Sequence, residues 1–242
     1  MTNPPTPRRL SVIIPTLNEE LALPACLHAI RAQQTSGLGV DVLLVDGGST
    51  DDTISIGVEG GVDSVLESEP GRGIQLRAGA DAAEGDILLF LHADGCLPPT
   101  AFLAIEKALD QGHDAGAFYV QHVLSEEAGP VAKRLLSIAD ARSRKTSLPY
   151  GDQAVFVTAS LYAEIGGMPE QSLMEDLEFA KRLNQRSRFQ MVPEVVKASA
   201  RRFELRPIRS VLCWWSFPTL YRWGVPPQRL MKMYGHPRST RK

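Results

Sequence analysis

The chain has 242 residues, 43% of them hydrophobic and 22% charged, with a formal net charge of −2. That size and balance suit one large globular domain with a full apolar core. They exclude a global basic field for nucleic acid, and no apolar run reaches the length of a membrane span.

The elements then follow in chain order. Residues 10–14 are short, β-branched and closed by Pro15, which predicts a first strand. Asn18 is placed to cap a helix running to about Gln34, with Leu21, Leu23, Leu27 and Ile30 on its apolar face. Residues 40–45 predict a second strand that opens into Asp46-Gly-Gly-Ser-Thr-Asp-Asp-Thr53, whose polar residues start a helix reaching about Val58. A weak third strand is expected at 62–66, a turn at 70–73 and a helix to Ala83. The apolar run 87–91 predicts a fourth strand that opens into His92-Ala-Asp94, and Pro98-Pro99 starts a helix through Leu109.

The second half changes character. Strands are expected at 115–123, 153–158, 189–192 and 195–200, and helices at 130–144, 174–184, 208–221 and 227–234. The alternation in the first half predicts an α/β fold: a mostly parallel, doubly wound sheet with helices on both faces, followed by C-terminal helices. One domain is expected, with a nucleotide half over about 10–110, an acceptor half over about 111–205 and a helical segment over 206–242.

In such sheets ligands bind beyond the carboxyl ends of the strands, so acids delivered there are the first candidates. Asp46 stands before two glycines, and Gly48 lets backbone approach a ligand. Its carboxylate suits a ribose or a base N–H. Asp94 suits a hard divalent cation completed by diphosphate oxygens and water. His92, two residues earlier in an extended loop, either shares that ion or bonds to backbone. Arg72, between two glycines, and Arg77 either meet phosphate oxygens or lie on a solvated surface, and Gln75 between them is a weaker candidate. Glu175 and Asp176 open a helix, where the dipole alone favours acids, but the preceding Ile165-Gly-Gly-Met-Pro169 reads as a loop able to close over a substrate. Asp152, beside Gln153, either positions an acceptor hydroxyl or shapes a turn.

Trp214, Trp215, Phe217, Tyr221 and Trp223 form an aromatic segment that suits core, a bilayer surface or a dimer. Cys26, Cys96 and Cys213 form neither a CxxC nor a zinc spacing, which indicates free thiols in a reducing compartment. Residues 1–7 are polar and proline-rich, unlike a secretory leader, so a cytoplasmic location is expected, with the inner membrane face as the site of any peripheral contact.

Together these blocks resemble family 2 glycosyltransferases with the A-type, nucleotide-diphospho-sugar fold. Ser11-Val-Ile-Ile-Pro-Thr-Leu-Asn-Glu19 is similar to the family's opening strand and loop, and Val45-Asp-Gly-Gly-Ser-Thr-Asp-Asp-Thr53 to its second block. Leu91-His-Ala-Asp94 resembles a DxD metal motif that keeps only its final acid, and Glu175-Asp176 the block that supplies the base. Two positions depart from the common pattern: Gly47 where many members have a second acid, and Leu76-Arg77 where many have Arg-Asn. No QxxRW motif is present, which argues against a processive synthase, and the variant motifs resemble a small non-processive bacterial subgroup.

The resemblance implies inverting transfer of a sugar from a nucleotide-diphospho-sugar to an acceptor hydroxyl, the acceptor being lipid-linked or a small molecule. Pro15, Thr16, Asn18, Glu19 and Asp46 would line the nucleoside pocket, and Gly48, Arg72, Gln75, Arg77, His92, Ala93 and Asp94 the rest of the donor site. Asp94, with His92, would hold Mg²⁺ or Mn²⁺. Asp176 would act as general base and Glu175 would orient the site, with Asp152 and Gln153 toward the acceptor. The alternatives are a sugar-phosphate nucleotidyltransferase, whose glycine-rich basic loop after the first strand is missing here, and a non-catalytic binding protein of the same fold.

Overall fold

In the computed structural model, which describes residues 8–35, 37–143, 149–201, 204 and 207–234, one eight-stranded sheet runs through both halves of the chain. The first half alternates as expected: β1 (Arg9–Thr16), α1 (Leu23–Arg31), β2 (Gly39–Asp46), α2 (Thr53–Glu59), β3 (Ser64–Glu67), α3 (Arg72–Ala82) and β4 (Ile87–Phe90). A two-residue strand β5 (Gly95–Cys96), α4 (Ala101–Asp110), β6 (Ala115–Val123) and α5 (Pro130–Ser143) follow. A 3₁₀ turn at Gly151–Gln153 then leads into β7 (Val155–Thr158), α6 (Ala159–Glu164), α7 (Glu175–Arg186) and β8 (Phe189–Ser199). Two helices close the chain, α8 (Pro207–Arg222) and α9 (Pro227–Tyr234).

The strand order is β3-β2-β1-β4-β7-β6-β8-β5. β1 pairs in parallel with β2 and β4, and β2 with β3. β7 reverses direction, pairing antiparallel with both β4 and β6. This reversal positions the site. The start of β7, Val155, lies opposite Phe90 at the end of β4, so the Gly151–Gln153 turn arrives at the edge where β4 releases His92 and Asp94. β6 runs with β4, so its carboxyl end, bearing His122, reaches the same edge.

The core lies on both faces of the sheet, as near-continuous apolar strands require. Successive residues alternate between faces: Leu10, Val12 and Ile14 pack with α1 and α4 through Leu23, Leu27, Phe102 and Ile105, whereas Ile13, Val45, Leu88 and Phe90 pack with α3, α6 and α7. Phe90, Tyr162 and Phe179 form an aromatic triangle with centroids 5.6–5.9 Å apart, which fixes α6 and α7 on this second face. Phe90→Ala there would cost about 3–5 kcal/mol. α3 sits so close to the sheet that a Cβ at Gly79 would lie 2.5 Å from Ile13 Cγ2.

Four differences from the sequence expectation have local causes. Asn18 does not cap α1, which begins at Leu23 with Pro24 in its first turn and ends at Arg31; Asn18 adopts φ 53° and bonds to the neighbouring loop instead. Gln153 belongs to the 3₁₀ turn and not to β7. The two strands expected at 189–192 and 195–200 are one strand with a bulge, where the pairing jumps from Phe118–Val192 to Tyr119–Val195; the bulge holds Pro193, which has no N–H to donate to the ladder. α6 was not expected, and Thr158 caps it by accepting from the Leu161 N–H.

Candidate active site

The carboxyl ends of β1 and β2 lie side by side, with Thr16 opposite Asp46. Their loops interlock through reciprocal hydrogen bonds. Asp46 Oδ2 accepts from the N–H groups of Gly48 (2.9 Å) and Ser49 (2.7 Å), and Oδ1 from the hydroxyls of Ser49 and Thr16 (3.1 Å to the latter). The Asn18 N–H donates to Ser49 Oγ, the Thr50 N–H to Asn18 Oδ1, and the Glu19 N–H to Thr53 Oγ1, each at 2.8 Å. Asp46 is therefore 1% exposed with both oxygens engaged by Thr16 and its own loop. Beneath it the Gln75 amide donates to the carbonyls of Thr16 (2.6 Å) and Val45 (2.8 Å), stitching the two strand ends together. A Cβ at residue 47 would come within 3.1 Å of that amide and 3.2 Å of Pro70 Cα. This close fit favours glycine at position 47. Gly48 has φ 90°, the left-handed region that glycine adopts without strain.

Of the residues expected to line the donor, Asn18 and Gly48 are exposed at this edge and Pro15 is half-buried, whereas Thr16, Gln75 and Ala93 are buried. Glu19 is also buried and forms an ion pair with Arg201, just beyond β8.

A second group of charges gathers where α3 and α7 begin. Arg72, the first residue of α3, forms an ion pair with Glu175 and a longer one with Asp176 Oδ2 (3.4 Å). The Glu175 side chain is 2% exposed, and burial pushes its carboxyl above the usual range, partly offset by the Arg72 charge. Burial alone would depress the Arg72 guanidinium, but the two acids outweigh it and raise its pKa. Met174 enters α7 at φ 66°, so the helix turns sharply out of the preceding loop with Glu175 and Asp176 in its first turn. Arg77 supports that loop from outside. It donates to the carbonyls of Gly166 and Met168 (3.2 Å each) and pairs with Glu170 (3.1 Å), so the structure places it behind the loop and not beside Arg72.

The Gly151–Gln153 turn joins these parts. The Gly151 N–H donates to Asp176 Oδ2 (3.1 Å), and a Cβ at this position would lie 3.1 Å from His92 Nε2 and 3.4 Å from Asp176 Oδ2. The turn thus passes close between the two side chains, with little room for a Cβ on the His92 side. Gln153, expected toward the acceptor, is fully buried: it donates to the Phe118 carbonyl (3.0 Å) and accepts from the Tyr150 N–H (2.9 Å).

Asp152 Oδ2 pairs with His122 Nε2 (2.9 Å), and Asp140 Oδ1 with His122 Nδ1 (2.6 Å). Burial alone would lower the imidazole, but the two carboxylates push it up to about 10. The Asp152 carboxyl is depressed: burial opposes ionisation, but the bonded His122, and then the charges of His92 and Arg72, prevail. The sequence reading missed His122, Asp140 and the Arg201–Glu19 pair. No local motif marks them, and 30 residues separate His122 from Asp152.

Among the described residues no group of three or more His, Cys, Asp or Glu side chains could hold a metal ion. Asp94 is half-buried on the turn after β4, and the His92 ring lies toward Gly151. That donor set does not fit an all-protein cage; it fits a Mg²⁺-type ion that keeps most of its ligands as substrate phosphates and water.

A twisted α/β sheet with carboxylates at one strand edge, and antiparallel β7 inserted beside the parallel strands, defines the A-type glycosyltransferase fold. Solved structures of that fold superpose on the chain. S. aureus TarS 1–349 in complex with UDP does so with a TM-score of 0.60 at 18% identity, over 85% of this chain and 64% of that one. The mannosyltransferase PcManGT from Pyrobaculum calidifontis, in complex with GDP-Man and Mn²⁺, gives 0.62 at 22% identity, over 95% and 68%. The family model described as glycosyl transferase family 2 matches residues 11–163, and the chain belongs to that family. Among curated relatives, an uncharacterized glycosyltransferase of Mycobacterium tuberculosis is 38% identical over 105 residues, 43% of this chain and 45% of the relative. A PGL/p-HBAD biosynthesis glycosyltransferase of the same species is 40% identical over 110 residues, 43% and 42% of the two chains. The match thus spans less than half the length of these relatives.

Proposed function

We propose that the protein transfers a sugar from a nucleotide-diphospho-sugar to an acceptor hydroxyl with inversion, using Asp176 as general base. The observation that carries this reading is the placement of Asp176. It stands at the start of α7, held by the Gly151 N–H and Arg72, at the sheet edge where β4 delivers Asp94. The acceptor O–H proton goes to Asp176 as the acceptor oxygen bonds to the anomeric carbon. The bond from that carbon to the diphosphate breaks, and the nucleoside diphosphate leaves. Arg72 keeps Asp176 oriented and Glu175 fixes Arg72. A divalent ion held by Asp94 and the diphosphate would offset charge on the leaving group. Arg72 is already committed to two acids, which favours such an ion over Arg72 in that duty. The end of β1 and the loop after it, Pro15-Thr-Leu-Asn-Glu19, hold no glycine, which weighs against the nucleotidyltransferase alternative.

The test has two parts. A thermal-shift panel of nucleoside diphosphates and their sugar conjugates, with and without Mn²⁺, identifies the donor, because specific binding raises the melting temperature by mass action. With that donor, Asp176→Asn is expected to lower transfer by roughly 10³-fold or more while leaving donor affinity unchanged. Equal loss of both overturns the assignment of the base.

The proposed acceptor lies at an anionic membrane surface. Among the described residues no helix is long and apolar enough to cross a membrane, but α8 carries exposed Ile208, Leu212 and Trp215, with Trp223 just beyond its end, the two tryptophans 57% and 78% exposed. From Pro207 onward the sequence has Arg209, Arg222, Arg229, Lys232, Arg238, Arg241 and Lys242 and no acid, in a chain of net charge −2. Apolar and aromatic groups rimmed by cations suit the headgroup boundary. A symmetric homodimer through this face would set like charges together. Trp214 does not belong to this exposed set; it packs on His122 with ring centroids 5.4 Å apart. Cosedimentation with phosphatidylserine vesicles is expected, with loss on Trp215→Ser/Trp223→Ser. Equal cosedimentation by this variant rejects the surface.

A further inference from the structure

Asp152 is held as few loop carboxylates are. His122 Nε2 bonds its Oδ2, and Asp140 bonds the opposite nitrogen, so three side chains from β6, α5 and the 3₁₀ turn form one hydrogen-bonded chain. The Asp140 carboxylate also accepts from the His122 N–H (3.3 Å), and Trp214 of α8 packs against the imidazole. A ring bonded at both nitrogens by carboxylates is a cation, and a cation between two acids fixes both. The other oxygen of Asp152 is different. Oδ1 is buried, and among the described residues no hydrogen-bond partner reaches it. A buried acceptor left unmatched is costly, and in a native structure such an atom marks strain, a catalytic role or a group that completes it.

The surroundings of that oxygen give the ligand's chemistry. Asp152 follows Gly151, whose N–H holds Asp176, and the charges of His92 and Arg72 reach its carboxylate. It therefore stands beside the groups to which sugar transfer is assigned above, as an anionic and immobile acceptor. An anchored carboxylate with one unmatched oxygen suits a neutral hydroxyl donor. We propose that Asp152, pinned by the Asp140–His122 pair, accepts through Oδ1 a hydrogen bond from a sugar hydroxyl bound beside Asp176, with His122 as the residue that positions it. This rests on the transferase reading. The hydroxyl belongs either to the transferred sugar or to a sugar acceptor; the chemistry is the same.

Deoxy analogues decide. The first arm follows hydrolysis, with water as acceptor, of the donor found in the thermal-shift panel and of its monodeoxy forms. The second follows transfer from that donor to octyl monosaccharides and their monodeoxy forms. The full-length protein is compared with Asp152→Asn and Asp140→Asn. In the wild type one deoxy analogue is expected to lose roughly 10–100-fold in kcat/KM. Asp152→Asn should lose a similar factor with the parent sugar and show almost no further loss with that analogue. Asp140→Asn, which keeps a bond to the ring but removes one charge, should raise KM more than it lowers kcat. A vanished penalty in the first arm assigns the hydroxyl to the transferred sugar, and one confined to the second assigns it to the acceptor. Identical deoxy penalties in wild type and Asp152→Asn overturn the subsite alone. A wild type that neither hydrolyses nor transfers from any nucleotide-diphospho-sugar overturns the transferase reading and the subsite with it.

Discussion

Two carboxylate-bearing regions meet at one sheet edge and are built by opposite means. Around Asp46 every bond comes from its own loop or from the strand paired beside it: Gly48 and Ser49 of the loop and Thr16 of β1 engage both oxygens. Around Asp176 one bond is local, Oδ1 accepting from the Leu177 N–H (2.7 Å), but Oδ2 is held from distant segments, by Arg72 of α3 and Gly151 of the 3₁₀ turn, with Asp152 and His122 beyond them. An acid engaged by its own loop and the paired strand shapes that loop. An acid held on one side by remote groups keeps capacity for chemistry. The strand-end position is common to both, so position alone does not separate a clasp from a catalytic group.

The contrast breaks most readily at Arg72. Arg72→Met leaves Glu175 buried without its cation, an expected loss of about 3–5 kcal/mol. For a chain of this size that lowers the melting temperature by roughly 6–20 °C, which differential scanning fluorimetry reads. A loss below 2 °C would mean that the remote cluster is not held by charge. On the other side, Asp46→Asn removes acceptor capacity from the clasp and should cost about 1–3 kcal/mol. The melting temperature then falls by roughly 2–12 °C, with donor affinity unchanged at temperatures where the variant is folded. Weakened donor binding with an unchanged melting point would instead support a place for Asp46 in the nucleoside pocket.

A smaller effect follows from pH. His122 is pushed up to about 10 in the folded protein by Asp140 and Asp152, against about 6.5 in an unfolded chain. Its stabilisation is therefore complete below pH 6.5 and is lost as pH rises through about 10. Melting temperatures measured from pH 6.5 to 10.5 should fall by a few degrees more in the wild type than in His122→Gln. Parallel curves would show that the imidazole is neutral between its two acids.

Much of the frame was legible along the chain. β-branched runs and glycine breaks marked β1, β2, β4 and β6, and an acidic pair after a glycine-rich loop marked the start of α7. These signals are local, because strand and helix periodicities and turn chemistry act over a few residues. Gln75 and Gln153 were legible only as polar side chains near the site; whether each faces a ligand or a carbonyl depends on which strand end lies above it. Arg77 was read beside Arg72 because the two share a helix, yet the loop it supports begins nearly ninety residues further on.

The amino-acid sequence by itself determined the alternating α/β frame, the carboxylates at the strand ends and the family, since each is written in contiguous residues. The tertiary structure alone decided that antiparallel β7 brings the Gly151–Gln153 turn against His92 and Asp176, and that His122 stands between Asp140 and Asp152. Strand order is set by burial on both faces of the whole sheet. No short stretch of chain encodes which distant charges that burial will press together.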